Sequence, residues 1–167
     1  PVALSNPLSS DMNTLRPSLL PGLLDSLRHN LSRQNQDVAL FELGRVFAPG
    51  TASPREARHV AIALTGRRQP DFWQGQDREA RYDLYDLKGV VDEFLELYGL
   101  RGLVYAARAE PTALFADSAT VSLGGRVPLG QLGLLLPALA RQHDLRDAVL
   151  LAELDLDELL ARRNTAR

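Results

Sequence analysis

The sequence predicts an α+β domain built on a mainly antiparallel sheet, and three features carry that reading. Two apolar strand-like segments, residues 38–47 and 59–64, follow one another with only a loop between them. Two alternating runs, 120–123 and 126–129, meet across Gly124-Gly125, a dipeptide suited to a tight chain reversal. Helical segments are interspersed irregularly among the strands, so the regular strand-helix-strand alternation of a parallel sheet is missing.

In chain order, residues 2–8 are short and apolar and end at Asn6-Pro7. Proline disfavours helical geometry in Asn6 and removes a backbone donor, so a strand entering a turn is expected. From residue 18 the period changes: Leu20, Leu23, Leu24, Leu27 and Leu31 follow the i, i+3, i+4, i+7 rule of one helix face. Ser18 is placed to cap that helix and Pro21 falls in its tolerant first turn, giving a helix over 18–32 that the polar tract 32–37 ends. Residues 38–47 put Phe41, Leu43 and Phe47 on one face and Val38, Leu40 and Val46 on the other, the two-sided apolarity of a central strand. A loop over 48–58, with Pro49, Gly50 and Pro54, leads into 59–64, which alternates large with small residues, so an antiparallel pair with a long connection is expected. Its Ala61 and Ala63 face leaves room for a packed helix or for a ligand.

Residues 66–81 read as a polar loop carrying Phe72-Trp73. The clearest helix spans 83–98, with Leu84, Leu87, Val90, Val91, Phe94 and Tyr98 as its apolar stripe and Gly99 as its stop. A short strand at 103–107 precedes the Gly124-Gly125 hairpin. A leucine-rich stretch then runs from Gly133 to Ala140, followed by a strand at 148–154 and a helix at 157–163. Nothing marks a second domain boundary, so one domain over 1–167 is expected.

Composition narrows the function. The chain has 167 residues, 45% hydrophobic and 24% charged, with no cysteine, three histidines and a formal charge of −2. A domain of this length buries roughly 70% of its unfolded surface and needs no disulfide or metal staple. Near-neutral charge argues against a domain held to nucleic acid mainly by phosphate contacts, though local arginine pairs remain able to touch RNA. No apolar run approaches the ~20 residues of a membrane span. The chain opens at Pro1 without an initiator Met, which suggests a piece of a longer chain.

The side chains that could carry chemistry are few. His29, His59 and His143 lie far apart in sequence, and no metal site is expected from them. Lys88 is the only lysine, which leaves no phosphate-loop lysine elsewhere. Asp83 with Asp86, Asp92 with Glu93, and Glu153 with Asp155 and Asp157 suit acid and base work, but each group sits on an amphipathic element where a solvated face is the better explanation. Gly124-Gly125 precedes a strand-like run and reads as a hairpin rather than a phosphate cradle. Ser5, Ser9, Ser10 and Ser18 lack the context of a nucleophile elbow. Phe72-Trp73 would either stack on a base or anchor its loop to the core. No catalytic, cofactor-binding or metal-binding residue is expected in the chain.

Several stretches resemble one family. Leu4-Ser5-Asn6-Pro7-Leu8-Ser9, Leu15-Arg16-Pro17-Ser18-Leu19-Leu20-Pro21-Gly22-Leu23-Leu24, Asn30 and Leu40-Phe41-Glu42-Leu43-Gly44-Arg45-Val46-Phe47 are similar, in order and spacing, to the beta subunit of bacterial phenylalanyl-tRNA synthetase. Asp83-Leu84-Tyr85-Asp86-Leu87-Lys88-Gly89 and Glu153-Leu154-Asp155-Leu156 resemble later signatures of the same subunit. The resemblance implies a class II aminoacyl-tRNA synthetase-like antiparallel sheet flanked by helices, the catalytic-like core domain of a longer beta chain. It implies a cytoplasmic ligase of two alpha and two beta chains, in which the alpha subunit joins phenylalanine to tRNA(Phe) using ATP and magnesium. This core would support the alpha subunit without catalysing, and itself take no cofactor. An amino-acid or nucleotide binding module derived from the same fold is the alternative.

The chemistry of a class II site bears on that choice. Such a site needs an arginine just after the first strand of its second motif to neutralise the ATP α-phosphate, whereas here Phe47 is followed by Ala48-Pro49-Gly50. Arg45, inside the strand, reads as an ion-pair partner. No glycine-rich strand-to-helix motif with a second arginine is present. The chain also departs from the family at Leu114-Phe115-Ala116-Asp117-Ser118-Ala119, in place of a His-Pro-Gly-Arg-Ser-Ala stretch, and at Leu134-Leu135-Leu136-Pro137, in place of Glu-Leu-His-Pro. The helix over 18–32 is the expected subunit interface, through Leu19, Leu20, Leu23, Leu24 and Leu27, with one leucine of each adjacent pair pointing away from the sheet.

Overall fold

The computed structural model of the chain describes residues 2–3, 14–51, 53–68 and 79–163. In order these form β1 (Val2–Ala3), β2 (Thr14–Leu15), α1 (Leu20–Ser32), β3 (Val38–Ala48), β4 (Arg55–Thr65) and α2 (Leu84–Glu96). There follow β5 (Leu103–Ala107), β6 (Phe115–Leu123), β7 (Val127–Leu135), α3 (Pro137–Gln142), β8 (Val149–Asp155) and α4 (Leu156–Arg162). Strands β3 to β8 build one antiparallel sheet in the order β3-β4-β8-β7-β6-β5, and β1 pairs with β2 apart from it. The turn expected at Asn6-Pro7 and the Phe72-Trp73 pair lie outside the described residues, as do Ser5, Ser9 and Ser10.

The expected antiparallel pair forms over its whole length, from Val38 opposite Thr65 to Ala48 opposite Arg55, so both strands extend into what the sequence suggested was a long loop. At the second hairpin Gly124 and Gly125 adopt φ values of 60° and 70°, the left-handed conformation a tight reversal demands. Strand β6 begins earlier than expected and includes the divergent 115–119 segment, while 134–135 close β7 and Pro137 opens α3.

Two apolar layers cover the sheet. On one face α1 packs over β3 and β4, and its leucines meet Ala61, Ala63 and Leu151, the small residues of β4 making room for the helix. On the other face α2 packs over β7 and β8 and α4 over β4, with Leu87, Val91 and Leu95 against Leu150, Ala152 and Leu154. A capping box fixes the start of α2: Asp83 accepts from the backbone N–H groups of Tyr85 and Asp86, and the Asp86 carboxylate accepts from the N–H of Asp83.

Four expectations are corrected. Strand β3 lies at the sheet edge rather than its centre. The cap position of α1 is Leu19, and Ser18 stands one residue before it, its hydroxyl accepting from Leu20 N–H. In α2, Leu95 rather than Val90 completes the buried stripe, and Phe94 is only half-buried, because the helix turns that side toward the open edge of the sheet. Finally, Leu19, Leu20, Leu23, Leu24 and Leu27 are all buried, so neither adjacent pair splits as expected. A stripe this wide fits because α1 lies in the hollow above Ala61 and Ala63 and touches two strands; its outward face is Asp25, Ser26, Arg28 and His29. Each such leucine contributes about 1.5–3 kcal/mol on burial, which ties them to the fold.

Candidate functional site

The acidic residues separate into local roles. Asp83 and Asp86 cap α2. Asp155 caps α4 by accepting from Glu158 N–H at 2.9 Å. Asp157 accepts from both the backbone N–H and the guanidinium of Arg58, at 2.8 and 2.7 Å, and these bonds hold its carboxyl below the usual range. Asp92 accepts from Lys88 and from the Tyr105 hydroxyl, each at 2.5 Å, and the Lys88 ammonium lies over the Tyr105 ring. Desolvation and the Asp92 bond push the Tyr105 hydroxyl above its ordinary value. Among the described residues no group of three His, Asp or Glu side chains is placed to hold a metal ion.

Glu153 differs from the other acids. It is 7% exposed, on the face of β8 that looks toward α1, where the sequence suggested a solvated trio. One oxygen accepts from Leu19 N–H at 2.9 Å and faces His59 Nδ1 at 3.0 Å; the other accepts from the Ser18 hydroxyl at 2.6 Å. Burial alone would raise its pKa, but the bonds from His59, Ser18 and Leu19 outweigh that and hold it below the ordinary value. Next to it across β7 lies Gln131, whose amide oxygen accepts from both terminal nitrogens of Arg108 at 3.1 Å. A polar row therefore crosses one face of the sheet from His59 through Glu153 and Gln131 to Arg108. Periodicity missed it, although a single charge in the otherwise apolar run 149–154 was the available signal.

At the end of β3 the arginines are held in ion pairs. Phe47 is followed by Ala48, Arg45 pairs with Glu56 at 2.9 Å, as expected for a structural ion pair, and Arg16 pairs with Glu42 at 2.7 Å.

The face of β3 turned away from α1 carries an apolar groove of about 480 Å³, bounded by Phe41 and Leu43 of β3, Ile62 of β4, and Val90 and Phe94 of α2. Phe41 is 73% exposed and Leu43 58%. Among the described residues, the helices on this side cover the middle strands and leave the edge strand's apolar row bare. A second cleft, about 850 Å³, opens where the carboxyl ends of α1 and α3 converge. It mixes Arg28 and Arg146 with Asp25 and Asp144, and both Gln34 and Asp144 there adopt positive φ as the residues that terminate those helices.

The solved pyrrolysyl-tRNA synthetase of Desulfitobacterium hafniense superposes with a TM-score of 0.68 over 93% of this chain and 51% of that one, at 18% identity. A second structure of that synthetase gives a TM-score of 0.64 over 87% of this chain and 48% of that one, also at 18% identity. At that identity the likeness shows the fold: an α+β, class II synthetase-like antiparallel sheet. Phenylalanine–tRNA ligase beta subunits are similar in sequence, with 37% identity over 161 residues for Symbiobacterium thermophilum and 38% over 159 for Bacillus licheniformis. Those alignments take in 95% and 94% of this chain but 18% and 19% of the relatives, so the chain spans about a fifth of their length. The family model described as the phenylalanyl tRNA synthetase beta chain CLM domain matches residues 1–156, and the chain belongs to that family.

Proposed function

We propose that this chain is the non-catalytic core of a phenylalanine–tRNA ligase beta subunit and that it supports a catalytic alpha subunit by packing against it through the open face of β3 and α2. The observation that carries this reading is the bare row of Phe41 and Leu43. An edge strand that presents large apolar side chains to water invites aggregation unless something covers it. Two-sided apolarity belongs to a strand covered on both faces, and a docked subunit would supply the second cover.

The residues at the end of β3 do not fit ATP. Arg45 is already neutralised by Glu56, and no arginine follows Phe47, where charge stabilisation of a phosphate would be needed. Activation of phenylalanine with ATP and magnesium, and its transfer to tRNA(Phe), are therefore assigned to the alpha subunit of a cytoplasmic assembly of two alpha and two beta chains. Among the described residues no helix is long and apolar enough to cross a membrane.

Replacing Phe41 by Asp in the full beta chain tests the reading. A carboxylate buried without a partner costs about 2 kcal/mol or more, so association with alpha should weaken at least about tenfold while the beta chain keeps its circular dichroism spectrum. Unchanged affinity would overturn the proposed face. Phenylalanine-dependent ATP–pyrophosphate exchange by the beta chain alone would overturn the non-catalytic assignment.

A further inference from the structure

We propose that Arg108 forms an oxyanion-binding site on the α1 side of the sheet, accepting the carboxylate or phosphate group of a small ligand. The inference stands apart from the assembly role, since it concerns the face of the sheet opposite Phe41.

Arg108 follows β5, and its guanidinium lies across β6 to reach β7. Nη1 donates to Ser118 Oγ at 3.2 Å and to Gln131 Oε1 at 3.1 Å, and Nη2 donates to the same Gln131 oxygen at 3.1 Å. The backbone adds a further tie, from Arg108 N–H to Ser118 O at 2.9 Å. Gln131 thus occupies the end of the guanidinium fork and Ser118 the outer hydrogen of Nη1. What remains is the long edge, where Nε–H and the second hydrogen of Nη2 point in parallel. That edge is the fork that matches a carboxylate or a phosphate with two hydrogen bonds.

The charge of Arg108 is also left over. Every other described arginine that is held by a side-chain contact meets a carboxylate, as Arg16 meets Glu42, Arg58 meets Asp157 and Arg81 meets Asp147. Arg108 is held by neutral acceptors only, among the described residues. The carboxylate nearest along the polar row, Glu153, stands on the far side of Gln131 and already receives Ser18, Leu19 and His59. Immobilising a guanidinium sacrifices side-chain entropy, and neutral partners return less than a carboxylate would. A bound oxyanion supplies the missing counter-charge in a geometry that Gln131 and Ser118 have already fixed. The surface around it is open: Val104 is 41% exposed, Ala106 is exposed, and Thr120 and Gln131 are half-buried on the same face.

The test uses the whole protein at constant ionic strength. Inorganic phosphate and acetate are titrated separately, with the Arg108 Nε–H and Gln131 side-chain amide signals followed by nuclear magnetic resonance. One or both anions should produce saturable shifts, with a dissociation constant on the order of 1–10 mM for a single bidentate pair. Saturation by phosphate alone identifies a phosphate ligand, and by acetate alone a carboxylate ligand. In Arg108→Lys, which keeps the charge and loses the fork, the Gln131 shifts should need at least about tenfold more anion; in Arg108→Gln they should vanish. Backbone amide signals of β6 and β7 report whether each variant folds, and Arg108→Lys carries the test if Arg108→Gln does not. Non-saturating shifts with both anions, or equal affinity in Arg108→Lys, would overturn the proposal.

Discussion

At neutral pH the Glu153 carboxylate accepts from Ser18, Leu19 and His59, so its ionised form is the one the fold requires. Because folding lowers its pKa from the ordinary 4.5, the resulting stability is fully present above that value. It is lost as pH falls through the lower value of the folded state. Glu153→Gln should destabilise the protein by about 1.5–3 kcal/mol at pH 7, the usual worth of hydrogen bonds to a charged group. The difference from the parent protein should begin to shrink as pH falls below about 4.5 and close once pH has passed the lower folded-state value, where both folded chains carry a neutral side chain at this position. Urea unfolding across that pH range measures it, and a pH-independent difference would contradict the assignment. Glu153 was hard to read in sequence because its neighbours in the acidic trio, Asp155 and Asp157, do lie toward the surface. Position separates it from them: Glu153 lies inside β8 on the side of Leu151, whereas Asp155 is the last residue of that strand and caps α4, and Asp157 lies in the first turn of that helix.

Element α2 illustrates how much local pattern reveals. Its start was legible from Asp83 and its inner face from Leu87 and Val91, while its end, at Glu96, falls two residues before the expected Tyr98, and Gly99 closes the turn beyond it with a φ of 64°. Gly89 has no such local reason, since a Cβ placed there would meet nothing within 4 Å in this chain. Exposed glycine in a helix interior costs about 1 kcal/mol relative to alanine, so Gly89→Ala should raise stability by roughly that amount in thermal or urea unfolding. A loss of stability would show that the helix is bent or crowded at this point. Strand β3 marks the limit of such reading. Its apolar pattern on both faces is real, but pattern reports what a strand is built to bury and not whether the cover comes from the same chain. Sheet order was illegible for a related reason: the partner of β4 is β8, some ninety residues later, and nothing local in either strand encodes that distance.

Across the whole molecule the sheet separates two cores, and β8 serves both. Leu151 packs with the leucines of α1, and Leu154 packs with Leu87, Val91 and Leu159 on the other side. Leu151→Ala and Leu154→Ala should each cost about 2–5 kcal/mol. With the sheet between them, their effects should add within about 0.5 kcal/mol in the double variant if that variant remains folded enough to measure. A larger coupling would mean that the two layers relax together. The fold class and most elements were legible because helix and strand periods are local properties. The mutual arrangement of the layers was not, because it depends on that one strand. Since β8 lies between β4 and β7 while arriving after both, the earlier strands form two separate sub-sheets, β3-β4 and β5-β6-β7, each with an open edge. During synthesis those edges must wait, unpaired and prone to the wrong partner, until the strand that joins them emerges. The rate at which the last strand is delivered therefore sets how long the nascent chain is exposed to misassembly.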